Sequence, residues 1–144
     1  MIIIGSDHAG YSLKEEIKKY LEILNMKYED IGTKNAVSVD YPDIASSLSK
    51  KVLEDPENVG ILICGTGIGV SMTANRFKGI RAALCTYPYM AKMARNHNDA
   101  NVLCLGGRLI SPSLANETVN VFLNEKFEGG RHKRRTDKMD TCIS

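Results

Sequence analysis

Short apolar runs alternate along this chain with stretches in which apolar residues recur every three or four positions. The first pattern predicts buried strands, and the second predicts helices with one apolar face. Ile2–Ile4 reads as a strand, followed by a helix whose Leu13, Ile17, Leu21 and Leu24 share a face. Ser12 and Glu15 have capping-box spacing and predict the start of that helix. Tyr28–Ile31 predicts a second strand, and Tyr41-Pro42 opens a helix carrying Ile44, Leu48 and Val52 at spacing four. Val59–Ile63 predicts a third strand, with a helix over Val70–Phe77 after it. Ile80–Cys85 then predicts a fourth strand, Tyr89–Asn96 a helix, Asn101–Leu105 a fifth strand, and Ser111-Pro112 a helix reaching about Leu123. Repeated βα units imply an α/β three-layer sandwich: a five-stranded, doubly wound parallel sheet with helices on both faces. In such sheets ligands sit beyond the carboxyl ends of the strands.

The third strand runs directly into Cys64-Gly65-Thr66-Gly67-Ile68-Gly69. The glycines let the backbone turn with several N–H groups pointing outward, which makes an anion cradle beside a thiol. A helix N-terminus creates a positive field that favours thiolate, so Cys64 is a candidate to move a proton while the loop holds a substrate oxyanion. Glycine loops after strands also bind dinucleotides and nucleotide phosphates. Here the loop is GxGxG rather than GxGxxG, it lacks the Lys-Ser/Thr ending of a P-loop, and no Asp or Glu occurs from Asn58 to Asn98. A dinucleotide site uses an acid roughly 20 residues past the glycines to hold ribose hydroxyls. The same gap leaves Cys64 as the ordinary candidate base beside the loop. Without the loop, a cysteine closing a strand is most often just a small buried residue.

The net charge of +2 hides an asymmetry: residues 1–130 carry 14 Lys/Arg against 15 Asp/Glu, and residues 131–144 carry 5 against 2. A single domain over residues 1–144 is expected, with a basic tail from about residue 129. Arg131-His132-Lys133-Arg134-Arg135 suits a small phosphorylated ligand, and without interleaved aromatics it is a weak signal for nucleic acid. No apolar run reaches the length of a membrane span, and Met1–Ile4 is too short for a signal peptide core. A cytoplasmic location without membrane or nucleic-acid partners is expected. Cys64, Cys85, Cys104 and Cys142 form no CxxC pair, which predicts reduced thiols rather than a disulfide framework or a zinc site. His8, His97 and His132 show no H-x-x-x-H-type spacing, so no metal is expected.

Two more constellations follow strands. Ser6-Asp7-His8 ends the first, at the same sheet edge as Cys64 and on a strand expected to adjoin it. Asp7 also suits a turn or cap, and His8 a surface imidazole. Gly106-Gly107-Arg108 ends the fifth and adds a guanidinium, a good phosphate clamp.

Ser6-Asp7-His8-Ala9-Gly10, the Cys64–Gly69 loop, Ala94-Arg95-Asn96-His97-Asn98-Asp99-Ala100-Asn101, Gly106-Gly107-Arg108 and Gly129-Gly130-Arg131-His132 with Arg135 together resemble the motif series of type B ribose-5-phosphate isomerases. The resemblance covers almost the whole chain in order. That family, which includes galactose-6-phosphate isomerase subunits and enzymes acting on allose 6-phosphate, consists of metal-free and cofactor-free aldose–ketose isomerases with a flavodoxin-like or Rossmann-like sandwich. It implies interconversion of ribose 5-phosphate and ribulose 5-phosphate in the pentose phosphate pathway. A six-carbon sugar phosphate is the main alternative. A non-catalytic nucleotide- or phosphate-binding module is a weaker one, since it needs neither Cys64 nor His97.

By this resemblance Cys64 takes the proton beside the carbonyl and returns it to the neighbouring carbon through a cis-enediolate. The N–H groups of Gly65 to Gly69, including Ile68, stabilise the enediolate oxygen, and Thr66 holds a sugar oxygen. His97 opens the furanose ring, while Asp7 and Asn98 contact sugar hydroxyls. His8, Arg108, Arg131 and Arg135 surround the substrate, with the arginines as phosphate holders. One branch of the family replaces the cysteine by a Glu just after the glycine loop; Val70 stands there, so this chain matches the cysteine branch. The family works as homodimers or dimers of dimers. His97 precedes the fifth strand, at the amino edge, whereas Cys64 ends the third at the carboxyl edge. A five-residue strand spans roughly 16 Å, so active sites shared between subunits are expected.

Overall fold

The structure, a computed structural model, describes residues 1–143. Strands β1 (Ile2–Ser6), β2 (Tyr28–Asp30), β3 (Val59–Cys64), β4 (Ala82–Leu84) and β5 (Val102–Gly106) form one parallel sheet in the order β2-β1-β3-β5-β4. The connecting helices are α1 (Tyr11–Ile23), α2 (Tyr41–Val52), α3 (Ile68–Ala74) and α4 (Pro88–Asn98), followed by α5 (Pro112–Asn124) and α6 (Arg131–Asp140). Alternation along the central strands supplies both faces. Ile2, Ile4, Ile61, Ile63, Leu103 and Leu105 pack with residues of α1, α4 and α5. Ile3, Leu62, Cys64, Val102 and Cys104 pack with residues of α2 and α3. A sheet covered on both sides is why these strands read as unbroken apolar runs. No helix among the described residues is long and apolar enough to cross a membrane.

Several predicted boundaries shift. The fourth strand is shorter than Ile80–Cys85 at both ends, and the helix after the glycine loop starts at Ile68 and stops at Ala74 rather than running from Val70 to Phe77. Ser12 and Glu15 do not form a capping box. Gly10 is the cap of α1, with Ser12 already inside the first turn, and Glu15 instead pairs with Lys18. The helix starts early because it enters against β3: a Cβ on Gly10 would lie 2.6 Å from the Ile63 carbonyl oxygen, so only glycine fits. The basic tail is also more than a tail, since α6 buries His132 and Thr136 and packs on α4.

One polar network secures the segment between β2 and α2. Lys14 is fully buried, yet its ammonium pairs with Asp30 at 2.7 Å and donates to the Thr33 carbonyl. Lys18 adds a second contact to Asp30 at 2.8 Å, and the Gly32 N–H donates to Oδ1 at 2.9 Å. Burial by itself would raise the Asp30 carboxyl pKa; the bonds from Lys14, Lys18 and Gly32 outweigh it and hold the group below the usual carboxylate range. The folded pKa is thus below the unfolded one, so this stabilisation is present above the unfolded carboxyl pKa and is lost as pH falls through the folded value. Asp30→Asn should therefore destabilise the protein at neutral pH, with the gap to wild type closing as pH drops below about 4. Urea midpoints measured at both pH values check this; a gap that widens in acid would exclude an ionised Asp30 as the partner.

Candidate active site

The strand order reverses direction between β1 and β3, and in doubly wound sheets the crevice at such a point takes the ligand. Ser6 pairs with Ile63 and Cys64 with Gly106, so the loops leaving β1, β3 and β5 emerge side by side. They line a cavity of about 490 Å³ with Asp7, His8, Cys64, Thr66, Gly69 and Arg108 in its wall. The predicted adjacency of Asp7 and Cys64 is therefore realised on neighbouring strands. Tyr41, at the start of α2, and Met72, on α3, complete the wall. No local signal marked either, because both arrive from the helical layer.

Cys64 is 4% exposed, and the Gly67 N–H donates to its sulfur at 3.2 Å. That donor exists because Gly67 takes φ +79°, a left-handed conformation, where a Cβ would also lie 2.9 Å from the Leu105 carbonyl carbon. With α3 beginning only at Ile68, the cap N–H rather than a long helix meets the sulfur. The Ile68 N–H donates to Thr66 Oγ1 at 3.2 Å, which leaves the threonine hydroxyl hydrogen available to a ligand. Tyr41 presses on the loop, its ring 2.6 Å from where a Gly69 Cβ would stand. The loop after β5 locks onto the glycine loop through Gly107 N–H to the Cys64 carbonyl at 2.7 Å and Arg108 N–H to the Gly65 carbonyl at 3.0 Å.

Asp7 does act in a turn: its Oδ1 accepts from the Ala9 and Gly10 N–H groups at 3.0 and 3.1 Å. It remains in the cavity wall all the same. His8 Nδ1 accepts from the Val39 N–H at 3.2 Å, so the loop braced by Lys14 and Asp30 also holds this imidazole, with Nε2 uncommitted. The remaining buried thiols are of another kind. Cys104 lies within β5, while Cys85 falls just past β4 instead of inside it. Burial pushes the Cys85 thiol up to about 12 and Cys104 well above the ordinary range, so both stay protonated at neutral pH.

His97, Asn98, Arg131 and Arg135 are not part of this cavity. Helix α4 returns the chain to the amino edge, where Val102 pairs with Gly60, four residues back along the ladder from the Cys64–Gly106 pair. That separation is roughly 13 Å along the strands. At this corner His97 stacks on His132, ring centroids 4.1 Å apart and planes within 10°. Glu128 Oε1 lies 3.6 Å from His97 Nε2 and 3.8 Å from His132 Nε2. This His97–Glu128–His132 trio is a ligand-type grouping that spacing alone does not reveal: Glu128 and His132 stand four apart, but Glu128 precedes α6 and His97 arrives from α4. Arg131 and Arg135 stand four apart on α6, both exposed, whereas Lys133 is paired with Asp137. Asn98 borders a separate cleft with Tyr87 and Tyr89. One chain thus holds a thiol half with Arg108 and an imidazole half with Arg131 and Arg135.

The Ribose/Galactose Isomerase family profile matches residues 2–139. Ribose-5-phosphate isomerase B of Escherichia coli (strain K12) is 43% identical over 136 residues, covering 94% of this chain and 91% of that protein. The solved structure of a ribose 5-phosphate isomerase from Thermotoga maritima superposes with a TM-score of 0.95 at 51% identity, covering 97% of each chain. Ribose-5-phosphate isomerase B from Mycoplasma genitalium, solved with bound ribulose-5-phosphate, gives a TM-score of 0.93 at 43% identity, covering 98% of this chain and 94% of that one.

Proposed function

The chain belongs to the ribose/galactose isomerase family, and we propose that it interconverts ribose 5-phosphate and ribulose 5-phosphate in the cytoplasm, with Cys64 as the base. The observation that carries this reading is the placement of Cys64: a thiol in the wall of an open cavity, its sulfur already met by a backbone donor of the glycine loop. Cys64 takes the proton from C2 of the open-chain aldose and returns it to C1, while the hydroxyl proton passes from O2 to O1. Between the two transfers the charge sits on a cis-enediolate oxygen. The Gly65–Gly69 N–H groups are donors of the oxyanion-hole kind, each commonly worth a few kcal/mol. The Thr66 hydroxyl, in the same cavity wall as the thiol, is the donor that follows the proton between O1 and O2. Asp7 and Asn98 hold sugar hydroxyls, His8 lies beside the substrate, and Arg108, Arg131 and Arg135 hold the phosphate.

The other half of the chemistry, opening the furanose ring at His97, lies too far from Cys64 within one chain. We infer that the working unit is a homodimer, alone or paired into a dimer of dimers, with each site built from Cys64, Asp7, His8 and Arg108 of one subunit and His97, Asn98, Arg131 and Arg135 of another. The surface supports this. Ile68 and Met72, beside the thiol cavity, are 50% and 58% exposed, and Tyr87 and Tyr89, beside Asn98, are 48% and 59% exposed. Apolar exposure bordering both halves is what a second copy would cover.

Cys64→Ala should lower turnover of ribose 5-phosphate by at least about 10²-fold while calorimetry still detects sugar phosphate binding. Near-normal turnover would end the proposal, and parallel assays with galactose 6-phosphate and allose 6-phosphate show whether the pentose is preferred. Refolding inactive Cys64→Ala with inactive His97→Ala subunits should regain activity, since some heterodimer sites contain both side chains. Verified heterodimers no more active than either parent would mean that sites are not shared. For the phosphate, Arg131→Ala or Arg135→Ala should raise KM roughly tenfold or more, and Lys133→Ala, whose ammonium is engaged by Asp137, should change it little. Equal effects at all three positions would point to a diffuse basic helix instead.

A further inference from the structure

The connection between α5 and α6 is strapped to the last turn of α4. Asn96 donates from Nδ2 to Glu125 Oε2 at 2.9 Å and to the Lys126 carbonyl at 2.7 Å, and its own carbonyl accepts the Glu128 N–H at 3.0 Å. Arg95 adds its Nε–H to the Glu125 carbonyl at 3.3 Å. Arg81 ties the far ends together, pairing with Asp99, the left-handed cap of α4, at 3.0 Å and with Asp140 on α6 at 3.1 Å. These bonds deliver Glu128 and His132 to His97, the residue that follows Asn96.

The composition of the trio suits a metal, but its geometry does not. A tetrahedral ion needs imidazole lone pairs that converge on one point. Rings parallel within 10° send theirs out side by side. What the arrangement does provide is one carboxylate oxygen facing two stacked Nε2 atoms. Burial lowers the pKa of His132, His97, Arg131 and Arg135 lower it further, and Glu128 opposes them only in part. His132 therefore stays neutral, and its Nε2 is buried without a hydrogen-bond partner among the described residues. The Glu128 charge is left to His97.

We propose that Glu128 and His132 are positioning residues for His97: Glu128 holds the imidazole proton on Nε2, the His132 ring fixes the imidazole plane, and Nδ1 is thereby the nitrogen offered to the sugar. The role in catalysis rests on the reading that His97 opens the furanose ring. In that step Nδ1 takes the proton of the anomeric hydroxyl, the bond from the anomeric carbon to the ring oxygen breaks as the carbonyl forms, and the same proton passes from Nδ1 to the ring oxygen. Glu128 faces the imidazolium that exists between the two transfers, the part a carboxylate plays behind a catalytic histidine elsewhere. At 3.6 Å the two atoms are in contact without a formed hydrogen bond, and catalytic contacts of this kind tighten when substrate is bound.

Nitrogen-15 NMR of the full chain, with each histidine assigned by substitution, tests this beside steady-state kinetics on ribose 5-phosphate. Wild-type His97 should be the Nε2–H tautomer. Glu128→Ala, at a half-exposed position that does not endanger folding, should mix the tautomers and lower kcat at least about tenfold with KM changed by less than about threefold. His132→Ala should lower kcat in the same way, and His132→Phe, which keeps a flat ring in the stack, should restore most of it. If Glu128→Ala leaves the Nε2–H form intact with kcat within about twofold, or His132→Phe is as poor as His132→Ala, the positioning role is overturned while wild-type turnover still supports the isomerase reading. If the tautomer responds as expected but wild type does not turn over ribose 5-phosphate, positioning stands and the substrate assignment falls.

Discussion

Parallel pairing of β1, β3 and β5, with Ser6 opposite Ile63 and Cys64 opposite Gly106, decides where the chemistry of this chain can be. All strands point the same way, so everything that follows a strand gathers at one edge and everything that precedes one gathers at the other. The Asp7, Cys64 and Arg108 loops share the first edge. The end of α4 is forced to the second, because a helix joining two parallel strands must run back along them. A residue cannot change edge without changing the fold.

Within the carboxyl edge, backbone geometry does most of the work. Gly67 in a left-handed conformation turns its N–H onto the Cys64 sulfur, and the Gly107 and Arg108 N–H groups fasten the two exit loops together. The loop's own stretch of chain adds no negative charge: between Asn58 and Asn98 there is no carboxylate to compete for the loop N–H groups or to repel an anionic ligand. The nearest carboxylate in the wall, Asp7, has one oxygen occupied by the Ala9 and Gly10 N–H groups.

The amino-edge corner is built differently, from side chains that straps hold in place. Asn96, Arg95 and Arg81 spend their hydrogen bonds on the α5–α6 connection and on the two helix ends, so that His97, Glu128 and His132 meet in a stack. The same α6 that buries His132 leaves Arg131 and Arg135 outward. A basic cluster that looks like a solvated tail in one dimension is thus an ordered helical face.

The sequence by itself determined the fold class and which residues gather at the carboxyl edge, because both follow from local pattern and chain order. Apolar runs report strands buried on two sides, the glycine spacing reports a backbone loop, and the strand-then-motif order places Asp7, Cys64 and Arg108 at one sheet edge. The opposition of His97 to Cys64 was also legible, since it follows from chain direction alone. Hidden from it were the insertion of β5 between β3 and β4, the start of α1 at Tyr11 rather than near Ser12, and the entry of Tyr41 and Met72 into the cavity wall. Only the tertiary structure decided these, and above all the meeting of His97, Glu128 and His132. Each depends on packing between segments distant in the chain, such as a Gly10 backbone against the Ile63 carbonyl or an Asn96 amide against the carbonyl of Lys126, and no local pattern of residues encodes which distant backbone will be there.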